Sequence, residues 1–442
     1  MSLTQREKTV SFITFTVMLL VVVAPERGFV STTSPLYGLH WSQIAALLAV
    51  PLCFIIIFPE LKHRHSLKKY FLYAWPLMVY ALIEICFLIY GYGHRFDSGL
   101  IKSYPENWWL SYGIMVMLLP GAYFLGFAVR WDSKKQAQFL ITAFSLLTII
   151  VLGEYLYGNG VPNLIGNMVH LVNVTTDKIW QWSPGAESLR VTGLYAAPTL
   201  LAMITLSGMV WSLSAIGNRF IRVFLFCECA LVLVLTASRT EFLAALFLIV
   251  CAALVKIQNR GFKNWFLRSL PVVAFILTLI FFVGAGVYFH KFSGNYSAGI
   301  ITRMNSLDSE AASQEQPRNS EAAFTRLDQL SSGRVTLWGE ALSVIEKHPF
   351  GTGMPSGCYL TGAHAHNDLL SKYISEGILG IIMIIVMLAW MTGQPDGKLS
   401  NDMGLFLAIA LFGIGLFDCT FAQSAVLVVP MFLLGLNAGT VE

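Results

Sequence analysis

Long apolar runs separated by short polar segments dominate the chain. A transmembrane helix needs about 20 mostly apolar residues, and twelve runs approach or reach this length. They occupy residues 9–25, 42–59, 70–90, 109–129, 138–157, 194–217, 221–237, 242–256, 270–289, 374–391, 403–418 and 421–439. This pattern predicts an all-α integral membrane protein with about twelve transmembrane helices.

The positive charges between these runs are unequally distributed. With the N-terminus in the cytoplasm and the runs alternating in direction, 16 Lys and Arg residues fall in cytoplasmic segments and 6 in short outer segments. The remaining 7 of the 29 lie in one outer segment that is too long to be informative. Because cytoplasmic loops carry the excess of Lys and Arg, this orientation is the predicted one.

The polar segments divide the chain into three parts. Residues 1–289 hold the first nine predicted spans with short loops, residues 290–373 form a large outer loop, and residues 374–442 hold the last three spans. A second outer segment, 158–193, is rich in Trp, Asn and Gly. No internal repeat of the kind found in many transporters is visible.

Composition agrees with this architecture and excludes several classes of protein. Hydrophobic residues make up 56% of the 442 residues and charged residues only 12%, against about 25% charged in soluble domains. A net charge of +4 over this length makes no basic face. A soluble enzyme, a disordered chain and a nucleic-acid-binding protein are therefore excluded.

The outer loop contains a segment typical of an amphipathic helix. Its apolar residues recur at helical spacing, and Arg334 begins the same stripe. These apolar positions are Leu337, Trp338, Ala341, Leu342 and Ile345. The segment 348–353 then ends the helix. The stripe places Arg334 toward the apolar partner, and the alternative is an interfacial helix with an arginine that extends to the surface.

His366 comes shortly before the tenth predicted span. Three residues follow it at spacings of four, seven and eleven on one helical face: Leu370, Tyr373 and Gly377. We therefore expect His366 to stand at the outer end of an inward-facing stripe. The alternative is a helix cap or a polar anchor at the membrane surface.

A metal site is a weaker alternative for this region. His364 and His366 form a pair, but only Asp368 is nearby to serve as a third ligand. Zinc usually takes at least three protein ligands. The sequence therefore predicts no metal site.

Two further arginines fall at outer ends of predicted spans. Arg239 lies in the tight turn 236–240, where a charge within the bilayer usually faces the bundle interior and has a partner; the alternative is an ion pair with Glu241 or with another helix. Arg190 precedes the span that contains Pro198 and by itself resembles an ordinary flanking charge.

These basic residues share the outer side with Arg334 and His366. Guanidinium groups bind phosphate oxygens through paired hydrogen bonds, and a histidine can exchange a proton near neutral pH. Together the four residues suit a phosphate-bearing lipid and a hydroxyl nucleophile.

With these motifs the sequence resembles the O-antigen ligase family of the O-antigen ligase/polymerase superfamily. The similarity lies in residues 332–334 with Trp338 and 341–342, in 349–353, in 366–370, in 236–239, and in 190–193 ahead of Pro198. The overall layout, with one large outer loop before the tenth span, is also similar. The family pattern has Asn after this proline, whereas this chain has Thr199.

The resemblance implies a GT-C-like glycosyltransferase of the Gram-negative inner membrane, with its active site on the periplasmic side. It would transfer O-antigen from undecaprenyl diphosphate to a sugar hydroxyl of lipid A-core. The family is metal-independent and inverting, and no cofactor is implied. His366 would be the catalytic base, and Arg190, Arg239 and Arg334 would bind the diphosphate.

Three alternatives remain open from the sequence. An O-antigen polymerase or a protein O-oligosaccharyltransferase would use the same lipid-linked donor with a different acceptor. A transporter or flippase is less favoured, although three carboxylates lie within apolar runs, where such groups can relay protons or bind ions. They are Glu84, Glu154 and Glu228.

Overall fold

The structure, a computed structural model, describes residues 5–23, 41–63, 66–94, 108–157, 193, 198–215, 217–236, 238–260, 334–353, 366–395, 402–416, 418 and 424–440. Within these ranges every regular element is a helix, thirteen in all. They are α1 (Gln5–Val23), α2 (Trp41–His63), α3 (Ser66–His94), α4 (Trp108–Val129), α5 (Ser133–Tyr157), α6 (Pro198–Ser214), α7 (Arg219–Leu235), α8 (Arg239–Arg260), α9 (Arg334–Lys347), α10 (Asp368–Glu376), α11 (Ile378–Thr392), α12 (Met403–Gly415) and α13 (Ser424–Ala438).

The all-α prediction is confirmed for the described residues. Eleven of the twelve predicted runs coincide with these helices, and the run 270–289 lies outside the described residues. By length and composition, three helical segments could cross a membrane: Leu67–Gly93, Tyr112–Val129 and Ser133–Tyr155. Six more apolar helices are shorter. The count of twelve spans and the GT-C-like architecture stay predictions.

Large apolar side chains point outward along α3. Phe71, Leu72, Trp75, Leu82 and Ile89 are each about half or more exposed. A soluble surface rarely carries so continuous an apolar face, whereas lipid tails surround such a face without penalty. The exposed side chains are therefore those of a membrane-embedded protein.

Helices α4 and α13 pack with their backbones in contact. A side chain at Gly435 would overlap the carbonyl of Tyr123, and one at Gly439 would overlap the carbonyl of Phe127. Small residues spaced four apart allow such close approach between membrane helices. Gly435 meets Tyr123 and Gly439 meets Phe127, so residue numbers rise in the same direction along both helices and α4 and α13 are parallel. The fourth and twelfth predicted spans are also expected to be parallel, because successive spans cross the membrane in opposite directions.

One end of the bundle is marked by Trp390, whose indole N–H donates to the Tyr73 carbonyl at 2.6 Å. The amide of Asn437 donates to the Pro395 carbonyl at the same end. Along α3, Gly91 lies 18 residues beyond Tyr73, about 27 Å away at 1.5 Å per residue. This is close to the hydrocarbon thickness of a bilayer. We call the end that contains Tyr73 and Trp390 the Trp390 end, and the opposite end, which contains Gly91, the His366 end.

The directions of α8 and α12 show which residues lie at the His366 end. A side chain at Gly404, the second residue of α12, would overlap the Met391 carbonyl, so α12 begins at the Trp390 end. Near its other end, a Cβ atom built on Gly413 would lie 3.5 Å from the Cβ atom of Ala244 in α8, so the two helices are close there. Helix α8 therefore begins where α12 ends, at the His366 end.

The tenth predicted span, 374–391, is interrupted in the structure. Gly377 has a φ of 63° and separates α10 from α11. A side chain there would press on the backbone of Pro349 and Phe350, so the break is also a point of close packing. Helix α10 is consequently a short helix of its own at the His366 end.

Candidate active site

His366 stands just before α10 in a left-handed backbone conformation, with a φ of 48°. For a residue other than glycine this conformation costs about 1–2 kcal/mol. It persists only where the surrounding structure determines it, and such residues cluster at functional sites. Contacts with neighbouring helices therefore hold the backbone of His366, and its side chain remains 40% exposed.

Asn367 joins the start of α10 to the end of α12. Its side-chain oxygen accepts a hydrogen bond from the backbone N–H of Leu370 at 3.0 Å, which makes it the N-cap of α10. Its side-chain nitrogen donates to the carbonyl of Leu416 at 2.9 Å. One amide thus caps the helix and fixes where that helix begins relative to α12.

Asp418 is the partner of His366. Its Oδ1 lies 3.2 Å from Nδ1 of the imidazole, and its side chain is only 5% exposed. The backbone N–H of Asp418 donates to the Ile414 carbonyl at 2.8 Å, which holds the residue just past α12. A buried carboxylate in this position orients the ring.

Sequence reasoning missed Asp418, although a signal was present. The residue stands at the end of the predicted run 403–418, and an acidic residue at the edge of an apolar run is a candidate functional group. Its pairing with His366 joins residues 52 positions apart. No local pattern shows such a contact.

The turn that follows α9 supports the other end of α10. The backbone N–H and the hydroxyl of Thr352 both donate to the Ile374 carbonyl, at 2.8 and 3.0 Å. The N–H of Gly353 donates to the Ser375 carbonyl at 2.8 Å. The last carbonyls of a helix lack hydrogen-bond donors within the helix, and this turn provides those donors for α10.

Helix α9 confirms the amphipathic helix predicted from Arg334 onward. Ala341 is fully buried against Ile374 of α10. Around this pair pack Val344, Ile345 and Leu370. Leu342, predicted on the same face, is 52% exposed. Because the turn after α9 contacts the end of α10, the two helices run in the same direction and both begin toward His366.

The predicted inward-facing stripe of α10 is wrong. Leu370 and Tyr373 are only partly buried, although the third member of the stripe, Gly377, is buried. Apart from Ile374, which packs against α9, the fully buried face is polar. It consists of Asp368, Ser371, Lys372 and Ser375, with Glu376 beside them. Lys372 pairs with Glu84 of α3 and with Glu376 of its own helix, and the Ser375 hydroxyl donates to the Ser371 carbonyl. These contacts reduce the cost of burying the polar groups. Among the apolar residues, Leu370 packs against α9 and Leu369 against the main core.

Residues 223–385 match the family model described as O-antigen ligase. This segment is similar to the O-antigen ligase family. The resemblance predicted from the motifs is thereby confirmed over a match that covers less than half of the chain and includes α8, α9, α10 and His366. Among curated proteins, none matches the chain significantly. Asp418 lies beyond the O-antigen ligase segment.

Two predicted phosphate-binding residues begin helices of the O-antigen ligase segment. Arg239 is the first residue of α8 and Arg334 the first of α9, and their backbones place both at helix starts toward the His366 end. Arg190 and the side chains of Arg239 and Arg334 lie outside the described residues. Their common role in binding a diphosphate therefore stays a prediction.

The surroundings of Arg190 and Arg239 are described in part. The N–H of Gly193, three residues after Arg190, donates to the Glu154 carboxylate at 2.6 Å near the end of α5. Before α8, the Ser238 hydroxyl donates to the Glu241 carboxylate, and their spacing is that of a helix capping box. Glu241 thus has a hydrogen-bond partner in this turn.

The alternative considered for this region is a metal site formed by His364, His366 and Asp368. His364 lies outside the described residues. In the ranges that the structure does describe, no group of three His, Cys, Asp or Glu side chains is placed to hold a metal ion.

Proposed function

We propose that the protein is an O-antigen ligase of the Gram-negative inner membrane. It transfers a completed O-antigen glycan from undecaprenyl diphosphate to a sugar hydroxyl of lipid A-core on the periplasmic side. The observation that carries the proposal is the pairing of His366 with the buried Asp418 at one end of an apolar helical bundle, in a chain whose residues 223–385 match the O-antigen ligase family.

In the proposed reaction His366 is the general base. With the Nδ1 hydrogen donated to Asp418, Nε2 carries the lone pair that takes the proton of the acceptor hydroxyl. The hydroxyl oxygen forms a bond to the anomeric carbon as the bond from that carbon to the diphosphate breaks. Asp418 stabilises the imidazolium, and undecaprenyl diphosphate leaves with the bonding electron pair.

The reaction also requires stabilisation of the negative charge that develops on the leaving diphosphate. Arg190, Arg239 and Arg334 are the proposed clamp, because guanidinium groups bind phosphate oxygens in pairs and electrostatic stabilisation is usually the largest catalytic term. Helices α8, α9 and α10 begin toward the same end, and helix starts carry a partial positive charge that also favours anions.

A single displacement of this kind inverts the anomeric centre, because the acceptor attacks the face opposite the diphosphate. The donor already carries its leaving group, so the proposed reaction uses no cofactor and is metal-independent. Activation of the acceptor comes from His366 and neutralisation of the leaving group from the arginines. The polyprenyl tail and the acyl chains of the acceptor would approach from the surrounding membrane lipid.

Transport is the alternative that the structure disfavours. The three carboxylates within apolar runs each accept a hydrogen bond from another part of the chain. Glu84 is bonded to Tyr112 and Lys372, Glu154 to the backbone of Gly193, and Glu228 to Ser145 at 2.7 Å. Contacts of this kind join helices and do not require a transported ion.

The deciding experiment combines purified protein in detergent with an undecaprenyl-diphosphate-linked glycan and lipid A-core. We expect glycan-bearing lipid A-core, seen as a shift to larger products on a gel, in the absence of any gradient. Omission of lipid A-core is the control. Extension of the lipid-linked glycan without an acceptor would identify a polymerase, and transfer to a protein acceptor alone would identify a protein O-oligosaccharyltransferase.

The proposed orientation has a separate test. Reporter enzymes that are active only in the periplasm, fused within the segments 158–193 and 290–333, should be active in a Gram-negative host. The same reporter fused after residue 260 should be inactive, because that segment is predicted to be cytoplasmic. The reverse pattern would place the His366 end in the cytoplasm and would exclude the proposed reaction.

A further inference from the structure

We propose that Lys372 is a positioning residue for His366: its ion pairs with Glu84 and Glu376 fix the rotation of α10 about its axis and so the place of the imidazole. The proposal rests on the proposed role of His366 as the catalytic base. It concerns a residue that touches neither the imidazole nor, in the proposed arrangement, the substrates.

The ammonium group of Lys372 is enclosed by three side chains. It donates to Glu84 of α3 and, at 2.8 Å, to Glu376 one turn later on its own helix. It also lies 5.4 Å from the centre of the Tyr80 ring, where a cation interacts favourably with the aromatic face. The residue is 1% exposed. This arrangement connects α10 to α3 through a buried charge.

The acceptor on α3 is itself held in place. The hydroxyl of Tyr112 on α4 donates to the second oxygen of Glu84 at 3.1 Å. Glu84 is 3% exposed, and Tyr80 is fully buried one turn earlier on α3. Because a buried ammonium group without its partners is strongly disfavoured, α10 has one rotational setting in which Lys372 is satisfied.

The ion pairs act on the same face of α10 that approaches α12. Asp368 lies one turn before Lys372, and its Oδ2 would be 2.6 Å from a Cβ atom on Gly415. Only a glycine leaves room for that carboxylate. Helix α10 is thus fixed to α3 by Lys372 and to α12 by Asp368 and Asn367, and His366 immediately precedes these two residues.

The size of the effect follows from the geometry of a helix. With side chains an α-helix has a radius of about 5–6 Å, so a rotation of about 10° moves a side-chain tip by about 1 Å. A misplacement of about 1 Å can lower a reaction rate by about 100-fold. Loss of the ion pairs is therefore expected to slow the proton-transfer step without removing any group that binds the donor.

The test compares kcat and KM of purified variants in the glycan-transfer assay. For Lys372→Met we expect kcat to fall about 10- to 100-fold, while KM for the lipid-linked donor stays within about threefold. The matched control is Ser145→Ala, which removes the hydrogen bond from Ser145 to Glu228 between α5 and α7. Its kcat should stay within about twofold of the unchanged protein.

Two further variants separate positioning from simple loss of folding. Lys372→Arg keeps the charge and should retain more activity than Lys372→Met. The exchange Glu84→Lys with Lys372→Glu recreates an ion pair between α3 and α10 and should restore kcat at least about tenfold over either single change. If Lys372→Met does not yield a monodisperse protein, Glu84→Gln replaces it, because the glutamine keeps the shape and removes the charge.

A measurement on His366 itself distinguishes this proposal from the proposed function. The rate at which diethyl pyrocarbonate modifies His366, followed by mass spectrometry of its peptide, should rise in Lys372→Met as the contact with Asp418 loosens. This rate remains informative if the unchanged protein transfers no glycan to lipid A-core, a result that would overturn the proposed function alone. A folded Lys372→Met protein with an unaltered modification rate would overturn the positioning role, as would an unaltered kcat where transfer is measurable.

Discussion

The backbone of Gly353 lies directly against the backbone of Gly91, so that a methyl group on either glycine would overlap the other residue. Gly353 also has a φ of 72°, a region that side chains disfavour. The same residue donates its N–H to Ser375 at the end of α10. This pair of glycines therefore attaches the turn 349–353, and through it α10, to the end of α3.

We predict that Gly353→Ala destabilises the protein. The new methyl group meets backbone atoms that cannot move independently, and the positive φ adds strain. Together these effects should cost about 2–3 kcal/mol. The measurement is the midpoint of thermal unfolding in detergent, followed by size-exclusion chromatography of the heated samples.

Gly339→Ala is the matched control for this change. Gly339 lies within α9, and nothing is within 4 Å of the position that its methyl group would take. Alanine in an exposed helix interior is more favourable than glycine by about 0.5–1 kcal/mol, so this variant should unfold at the same or a higher temperature. Equal midpoints for the two variants would contradict the close contact between Gly353 and Gly91.

A second prediction concerns the two hydrogen bonds of Asn367. Asn367→Asp keeps an oxygen that can cap α10 but loses the donor to the Leu416 carbonyl, whereas Asn367→Ala loses both contacts. Loss of the cap should cost about 1 kcal/mol. The unfolding midpoint should fall further for the alanine variant, and transfer activity should fall in both. An aspartate variant as active as the unchanged protein would show that the contact with α12 does not position His366.

Much of the helical framework could be predicted from hydropathy alone. Each apolar run spans several helical turns, so a helix is still identified correctly when its predicted ends are wrong by a few residues. The helix from Arg334 also follows from local spacing, since its apolar residues recur at three and four positions. His366 could be selected from sequence because it belongs to a recognisable motif at the start of such a run.

The details of α10 could not be predicted in the same way. Its buried face is polar, and this is favourable only because Glu84, almost 300 positions earlier, supplies a charge for Lys372. Likewise Asp418 becomes significant only when α12 brings it to His366. Pairings of this kind depend on how helices that are distant in sequence pack together. A periodicity argument that places apolar residues in the interior therefore selects the wrong face of α10.

The third prediction tests the base directly. His366→Ala and His366→Asn should each lower the transfer rate by about 10²–10⁴-fold, the usual contribution of a general base. Asparagine tolerates the left-handed conformation better than most residues, so it separates the chemistry from the backbone strain at this position. Donor binding and the unfolding midpoint of the asparagine variant should be unchanged. A normal transfer rate in that variant would remove His366 from the mechanism.

Asp418 provides the fourth prediction. Asp418→Asn keeps the size of the side chain but replaces the carboxylate that lies 3.2 Å from Nδ1 of His366. The amide cannot stabilise the imidazolium in the same way, so kcat should fall by at least about tenfold, with little change in KM for the donor. The combination with His366→Asn should be no slower than His366→Asn alone. Additive losses would indicate that Asp418 acts independently of the histidine.

The fifth prediction concerns the diphosphate clamp. Arg239→Lys keeps the positive charge but loses the planar pair of donors that matches phosphate oxygens. We expect the affinity for the lipid-linked donor to fall about tenfold, which corresponds to about 1.4 kcal/mol. Arg334→Lys and Arg190→Lys should act in the same direction. Binding is measured with purified protein and a fluorescent lipid-linked glycan, in the absence of acceptor.

Arg219→Lys serves as the control for the clamp because Arg219 is exposed and begins α7. Helix α7 ends beside the start of α8, so its own beginning lies at the opposite end of the bundle from Arg239. The same exchange of arginine for lysine at position 219 should therefore leave the affinity for the lipid-linked donor unaltered. If Arg239→Lys bound the donor as tightly as Arg219→Lys does, Arg239 would be removed from the clamp. Its position at the start of α8 would then be explained by packing and helix capping alone.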